Sequence, residues 1–242
     1  MNIKLYPALY LALTGLVSSF NASAYSFVPT EVEYQSWSPE CKAAYGGSNS
    51  GRTYGFDKRA PDLGKAFSTL NWKVGGWHYC GGVIKIRRAE LSTNAREREK
   101  SFLEGIQNAN YSYSRIDKTH LWAAEMATTI ARGYRGLGDI EKAKNYLDEA
   151  IRYHPQYPTA YVLYAMLYFD SEDHKMAKEY LLKANDAAKG ASSEINYFLG
   201  LASIELGELA EAKKFAAEAA RLGYPLTGLQ DRIKALENVD SK

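Results

Sequence analysis

The sequence predicts an all-α fold in which paired helices stack behind an irregular N-terminal segment. Two observations indicate this fold. The composition changes near residue 80, from glycine, serine, proline and aromatic residues to alanine, leucine, lysine and glutamate. Beyond that point apolar residues return every three or four positions, the period of amphipathic helices. Small residues also return at intervals of 34 and then 35 positions, which indicates repeated helical units with one extra residue before the third.

Residues 1–24 are typical of a secretory signal peptide. MNIK is a short basic start, residues 5–17 form an apolar core, and residues 18–24 end in small residues with an A-x-A pattern. The apolar core is shorter than the roughly 20 residues that span a bilayer. We therefore expect cleavage near Ala24, a periplasmic chain without stable membrane insertion, and no lipid anchor, because Cys41 lies well beyond the cleavage point.

The charge of the chain gives no reason to expect a nucleic-acid partner. Thirty basic and 28 acidic residues are interspersed and leave a formal net charge of +2. Nucleic-acid binding usually requires a clustered basic surface. The expected partner is a protein or a peptide, and the oligomeric state stays open.

Residues 25–79 are expected to be irregular, because they contain no helical period longer than two turns and many turn-forming residues. Cys41 and Cys80 are the two cysteines of the chain. In an oxidising compartment such a pair usually forms a disulfide. That bond would pin the segment to the first helices, and closing a loop of about 40 residues contributes on the order of 4 kcal/mol.

The stretch GGWHYCGG, residues 75–82, leaves other uses of Cys80 open. Cys80 could be a redox thiol, a metal ligand beside His78, or a nucleophile with His78 as its base. However, a thioredoxin-like motif needs two cysteines one turn apart, and zinc needs three or four ligands. We favour the disulfide, expect no metal or cofactor, and keep a small-ligand or metal site around His78 and Cys80 as a second hypothesis.

Two further stretches resemble functional motifs. GGSNSGRT, residues 46–53, has the spacing of a phosphate loop with Arg52 in place of lysine, but a buried strand and a following helix are missing from its flanks. RRAELSTNAREREK, residues 87–100, is basic with interleaved glutamates. It is expected to be a solvated helix face with paired charges, and an anionic lipid or polyanion surface is the alternative.

The helical part begins with residues 80–123, which we interpret as one degenerate leading repeat. Two helices are predicted there, over Cys80–Ser92 and Asn94–Tyr113. Asn94 followed by Glu97 is a typical N-cap pattern. This pair does not fit the 34-residue register without a gap.

Residues 124–225 contain three units in register. Small residues recur at the same two positions of each unit, and a turn containing glycine or aspartate separates them. Small side chains allow the two helices of a pair to approach closely. The recurring small residues are Ala131, Ala165 and Gly200 in the first helices and Ala143, Ala177 and Ala212 in the second.

This pattern resembles the tetratricopeptide repeat (TPR) family. The resemblance implies a right-handed superhelix of helical hairpins, no enzymatic activity, and a concave surface, lined by the first helix of each pair, that holds a partner segment. Chaperone-binding members grip a carboxylate with lysines and asparagines at groove positions that here hold other residues. The groove positions implied by the resemblance are Thr128, Arg132, Arg135, Val162, Met166, Phe169, Tyr197, Leu201 and Ile204.

Residues 226–242 are expected to form a capping helix and a tail, with Leu229, Ile233 and Leu236 on one face. No motif for catalysis rises above chance. The function expected is therefore an exported adaptor or scaffold that binds another envelope protein, in a setting such as pilus, secretion or polysaccharide assembly. Alternatively, the groove is covered by residues 25–76 or by the C-terminal helix, which would then lie across it as packing.

Overall fold

The computed structural model describes residues 27–63, 70 and 73–240, and within these residues the chain is all-α, with no strand. The signal-peptide prediction for residues 1–24 lies outside them. Short helices come first, long helix pairs follow, and a single helix ends the described chain. The α-helices are α1 Glu31–Ser36, α2 Pro39–Gly46, α3 Asn49–Thr53, α4 Gly76–Leu91, α5 Ala95–Tyr113, α6 Leu121–Gly136, α7 Ile140–Tyr153, α8 Pro158–Asp170, α9 His174–Ala187, α10 Ser193–Glu205, α11 Leu209–Arg221 and α12 Gly228–Asp240.

Helices α6 to α11 form three hairpins, and each hairpin packs against the next. Three residues connect the two helices of each pair, so the helices of a pair are antiparallel. The turns have a common backbone geometry: Gly138, Glu172 and Gly207 all have positive φ, of 76°, 60° and 74°. Glycine adopts this conformation without steric cost. Glu172 adopts it in spite of its Cβ atom, so the turn geometry is kept even without glycine.

The small residues that define the register lie between the packed helices. Ala143, Ala177 and Ala212 are fully buried, and Ala165 is equally inaccessible. At these positions two helix backbones approach with no room for a larger side chain. The predicted hairpin stack is therefore confirmed, together with the physical reason for its spacing.

Helices α4 and α5 form a further, longer hairpin that precedes the three repeats. Helix α4 begins at Gly76, four residues before the predicted start. Gly75 has φ 68° and allows the chain to turn into the helix. A Cβ on Gly76 would lie 2.3 Å from the carbonyl oxygen of Leu70, so only glycine fits there.

The N-terminal segment, expected to be irregular, contains three helices of five to eight residues and a 3-10 turn at Asp57–Arg59. Their short lengths agree with the lack of a long helical period. They surround a cluster of buried aromatic side chains whose rings contact one another. The cluster consists of Phe27, Tyr34, Trp37, Tyr45 and Phe56.

The predicted disulfide between Cys41 and Cys80 is present and joins α2 to α4. Both cysteines are buried. Next to the bond, the indole Nε1 of Trp37 donates a hydrogen bond of 3.1 Å to the carbonyl oxygen of Cys80. Trp77 packs against the same core and Tyr79 lies within it; Trp72, another aromatic residue near the bond in sequence, lies outside the described residues.

Helix α12 closes the other end of the stack by packing on α10. Leu229 and Ile233 are buried against Tyr197, Leu201 and Ile204. A Cβ at position 200 would lie 2.4 Å from a methyl group of Leu229, so the glycine there admits the capping helix. Among the described helices, none combines the length and the apolar character needed to cross a bilayer.

We predict that Ala177→Leu lowers the free energy of unfolding by about 1–3 kcal/mol, because the larger side chain would force two helices apart. Ala177 is fully buried. The matched change Ala220→Leu falls at an exposed position of α11 and should cost less than about 0.5 kcal/mol. Urea unfolding followed by circular dichroism compares the two. Equal stabilities would contradict the role given to the small residues.

We predict that replacing Cys41 and Cys80 together by alanine destabilises the chain by on the order of 4 kcal/mol, because the bond closes a loop with a sequence separation of 39. Guanidinium unfolding without reductant measures the loss, and reduced wild-type protein should be equally unstable. Thiol counting on the denatured, unreduced chain provides the control. Two reactive thiols there would show that the bond does not form.

Candidate functional site

The first helices of the three hairpins, α6, α8 and α10, border a groove with a volume of about 490 Å³. We call this space the concave groove. Four residues expected at a binding surface line it: Thr128, Arg132, Val162 and Met166. The groove is thus built by regular helices, which hold their side chains at fixed spacings.

The floor of the concave groove is mostly apolar. Val162, Leu163 and Met166 of α8 and Phe198 of α10 are half-buried, so each leaves part of its side chain accessible, and Ile195 is buried beside them. Half-buried apolar side chains in a concavity can bury further area against an apolar ligand. The floor therefore has the chemistry of a surface for an apolar segment.

Two expected groove residues have partners within the stack. Arg135 binds Asp170 through two contacts, at 2.5 and 2.7 Å, and so links α6 to α8. Phe169 packs against the rings of His174 and Phe198, at centroid distances of 5.9 and 6.5 Å. Neither residue is among those lining the concave groove.

The three expected groove residues of the last repeat, Tyr197, Leu201 and Ile204, contact α12 instead of the groove. The apolar face of α12 covers them, which is the arrangement that the sequence left as an alternative for the C-terminal helix. The concave groove is therefore shorter than the surface expected from the three repeats. It ends at α10 on this side.

The carboxylate of Glu125 lies in the wall of the groove, on α6. One oxygen of Glu125 accepts a hydrogen bond from the hydroxyl of Tyr79, at 3.3 Å, and the other accepts one from the hydroxyl of Tyr157. Tyr79 comes from α4 and Tyr157 is the residue before α8. Repeat spacing alone indicates neither tyrosine, because both partners lie outside the three first helices.

Burial raises the pKa of Tyr79 and of Tyr157 above the ordinary tyrosine value, and the charge of Glu125 raises both further. Both hydroxyls consequently keep their protons at neutral pH and act as donors. They orient the carboxylate without neutralising it.

The other charged residue of the α6 wall is internally paired. Arg132 forms a two-contact ion pair with Glu90, which lies on α4. A bidentate arginine–carboxylate pair fixes both side chains. Arg132 therefore belongs to a neutral pair at the edge of the groove.

His78 and Cys80, the residues of the alternative ligand or metal site, both make structural contacts. The ring of His78 lies between those of Trp77 and Tyr111, at centroid distances of 3.8 and 4.1 Å, and its Nδ1 is 2.9 Å from Oδ1 of Asn108. Burial lowers the pKa of His78, so the neutral imidazole is favoured. In the parts of the chain that the structure describes, no group of three or more potential ligands could hold a metal ion.

The two motif-like stretches also have structural partners. Gly51, within GGSNSGRT, packs so closely on the carbonyl group of Tyr45 that a Cβ would lie 1.9 Å from its oxygen. In the basic stretch, Arg88 binds Glu33 of α1 at 2.6 and 2.7 Å. The first stretch lies in a tight helical turn, and Arg88 in the second fastens the N-terminal segment.

Comparison with known proteins decides the nature of the repeats. One family model described as tetratricopeptide repeat matches residues 134–193, and a second tetratricopeptide repeat model matches residues 193–222. Residues 134–222 of the chain are thus similar to tetratricopeptide repeats. The matched region runs from the last turn of α6 to the start of the last connection, and so includes most of the three-hairpin stack, α6 to α11.

Two known proteins are similar to parts of this chain. The Sol locus transcriptional repressor of Clostridium acetobutylicum is 32% identical over 75 residues, which are 31% of this chain and 23% of that protein. The chain thus spans less than a quarter of the length of this curated relative. A crystal structure of a thermophilic TPR protein from Thermus thermophilus is 19% identical, with a TM-score of 0.43, over 66% of this chain and 90% of that one.

We predict that the stability of the three-hairpin stack falls as the pH rises above about 10. An unfolded tyrosine loses its proton near 10.0, whereas Tyr79 and Tyr157 keep theirs to higher pH in the folded chain. Unfolding therefore releases protons in this range, and the stability present below pH 10 is lost as the pH rises.

Urea unfolding at a series of pH values between about 8 and 11 tests this dependence. Tyr157→Phe removes one raised pKa and should reduce the slope of stability against pH. Tyr153→Phe changes an exposed tyrosine and should keep the wild-type slope. A steeper loss for Tyr157→Phe than for wild type would contradict the role of the Glu125 contact.

Proposed function

We propose that the chain is a non-enzymatic adaptor whose concave groove binds a segment of another protein. One observation carries the proposal: α6, α8 and α10 leave an open groove whose floor, made by Val162, Met166 and Phe198 among others, is apolar and only half-buried. Binding a partner segment would remove that floor from water, which is the main favourable term in association.

Tetratricopeptide repeats generally act as scaffolds for protein–protein interaction, which supports a protein partner for this chain. The ionisable groups of the groove wall support a binding role as well. Glu125 is oriented by two tyrosines, and Arg132 is paired with Glu90. Since both are held by structural contacts, we assign them to recognition and not to catalysis.

The proposed location is the periplasm. The sequence of residues 1–24 has the pattern of a signal peptide, and a buried disulfide between Cys41 and Cys80 suits an oxidising compartment. The setting we propose is assembly of an envelope machine, such as a pilus, a secretion system or a polysaccharide exporter. This setting follows from resemblance to exported tetratricopeptide proteins, which is analogy.

The proposed division of the exported chain follows its packing. Residues 25–79 and 80–123 would form the N-terminal cap and the leading hairpin, residues 124–225 the binding stack, and residues 226–242 the C-terminal cap and tail. We do not propose a ligand or metal site around His78 and Cys80, because the disulfide and the ring stacking engage both side chains.

We predict that a photoreactive amino acid at Met166 crosslinks a specific partner in living cells, because this position faces the concave groove. The same amino acid at Leu182, an exposed apolar position of α9, provides the matched control. Mass spectrometry of the crosslinked species identifies the partner. Identical products at both positions would contradict binding in the groove.

A substitution tests independently whether the partner binds at the concave groove. Met166→Glu should abolish the crosslink formed from a second groove position, Val162, because burying an unpaired charge against an apolar segment is unfavourable. Leu182→Glu should leave that crosslink unchanged. Circular dichroism of both variants verifies that they are folded, so a lost crosslink can be assigned to the surface.

A further inference from the structure

The charge of the concave groove is unbalanced in one direction. Three charged side chains line it: Glu125, Arg132 and Glu194. Arg132 is already neutralised by Glu90 through two contacts. The remaining charge of the lining comes from the two glutamates.

Glu125 is held in place by hydrogen bonds from two tyrosine hydroxyls. Both hydroxyls are neutral, so they supply no positive charge. Within residues 27–63, 70 and 73–240, no lysine or arginine forms an ion pair with Glu125. Each oxygen retains a lone pair that can accept a further hydrogen bond.

Glu194 lies in the first turn of α10 and is exposed. The described part of the chain provides no ion pair for it either. Helices α6 and α10 run in the same direction, since each first helix is followed by an antiparallel one. Glu125 and Glu194 therefore both lie toward the N-terminal ends of their helices, and we call this side of the concave groove the acidic rim.

The opposite side of the groove carries paired charges. Toward the C-terminal ends of α6 and α8, Arg132 of the lining is paired with Glu90, and Arg135, which lies outside the lining, is paired with Asp170. The groove thus has an apolar floor, an acidic rim on one side, and charges on the other side that are already paired within the protein. An occupant that complements it has apolar side chains for the floor and positive charge for one edge.

We propose that the segment held in the concave groove is cationic and apolar: a stretch of a partner protein in which lysine or arginine residues recur beside apolar residues. The cations contact Glu125 and Glu194, and the apolar side chains cover Val162, Met166 and Phe198. Acidic segments are disfavoured, because they would bring like charges together at the acidic rim. This inference rests on the proposed function and specifies the chemistry of its partner.

The first test is selection of binding peptides from a random 12-residue phage-displayed library, with the exported chain purified with its disulfide intact. Clones that bind equally well to the Met166→Gln variant, whose floor is polar without added charge, are discarded, so the remaining clones require the apolar groove floor. We expect these clones to be enriched in lysine or arginine beside apolar residues. Enrichment of acidic or uncharged sequences would overturn the charge inference and leave groove binding intact.

The second test measures one enriched peptide by fluorescence anisotropy. Glu194→Gln should weaken its binding by about two- to fivefold, the effect of losing one rim charge, and the difference should shrink at high salt. Glu141→Gln is the matched control, because Glu141 is also an exposed glutamate in the first turn of a helix, α7, but lies outside the groove lining. Equal effects of the two changes would overturn the proposal.

Two outcomes concern the proposed function itself. If every selected clone binds the Met166→Gln variant as tightly as wild type, the groove does not bind peptides, and both the inference and the proposed function are wrong. If the chain self-associates in sedimentation experiments and Met166→Glu abolishes this, the occupant is a second copy of the chain. That result would overturn the inference of a cationic segment from a partner.

Discussion

The close approach of helix backbones at alanine and glycine positions is the constraint on which the architecture depends. Ala143, Ala177 and Ala212 have no accessible surface, so at these positions only a methyl side chain lies between the packed helices of each pair. That distance fixes how the next hairpin stacks, and it brings α6, α8 and α10 side by side. The concave groove is therefore a consequence of small side chains that do not line it.

A stack of hairpins exposes an apolar face at each end, and this chain covers its two ends differently. At one end a segment with short helices, a disulfide and an aromatic cluster packs on α4. At the other end the single amphipathic helix α12 places Leu229 and Ile233 on α10. The second cap also limits the groove, since the residues of the last repeat that could have extended it are half-buried against α12.

Periodicity predicts the repeats well, because the helical period and the small residues are local properties of the sequence. It predicts the extent of the groove less well. The apolar face of α12 is visible in Leu229 and Ile233, but the surface it covers depends on packing between distant segments. For the same reason the sequence does not indicate that Tyr79 and Tyr157 contact Glu125. They are 46 and 32 residues away from it, and no pattern of fixed spacing connects them. The short helices around Tyr45 are too brief to produce a detectable period.

The contact between Tyr79 and Glu125 would give the N-terminal cap a part in the recognition proposed above. Tyr79 precedes Cys80, whose disulfide and whose carbonyl contact with Trp37 hold this turn of α4 in the core. A buried tyrosine anchored in this way positions the carboxylate of Glu125 on the groove wall before any partner arrives. Preorganised charges cost less to desolvate and orient on binding than mobile ones. The segment that closes the stack thus also determines where the acidic rim presents its charge.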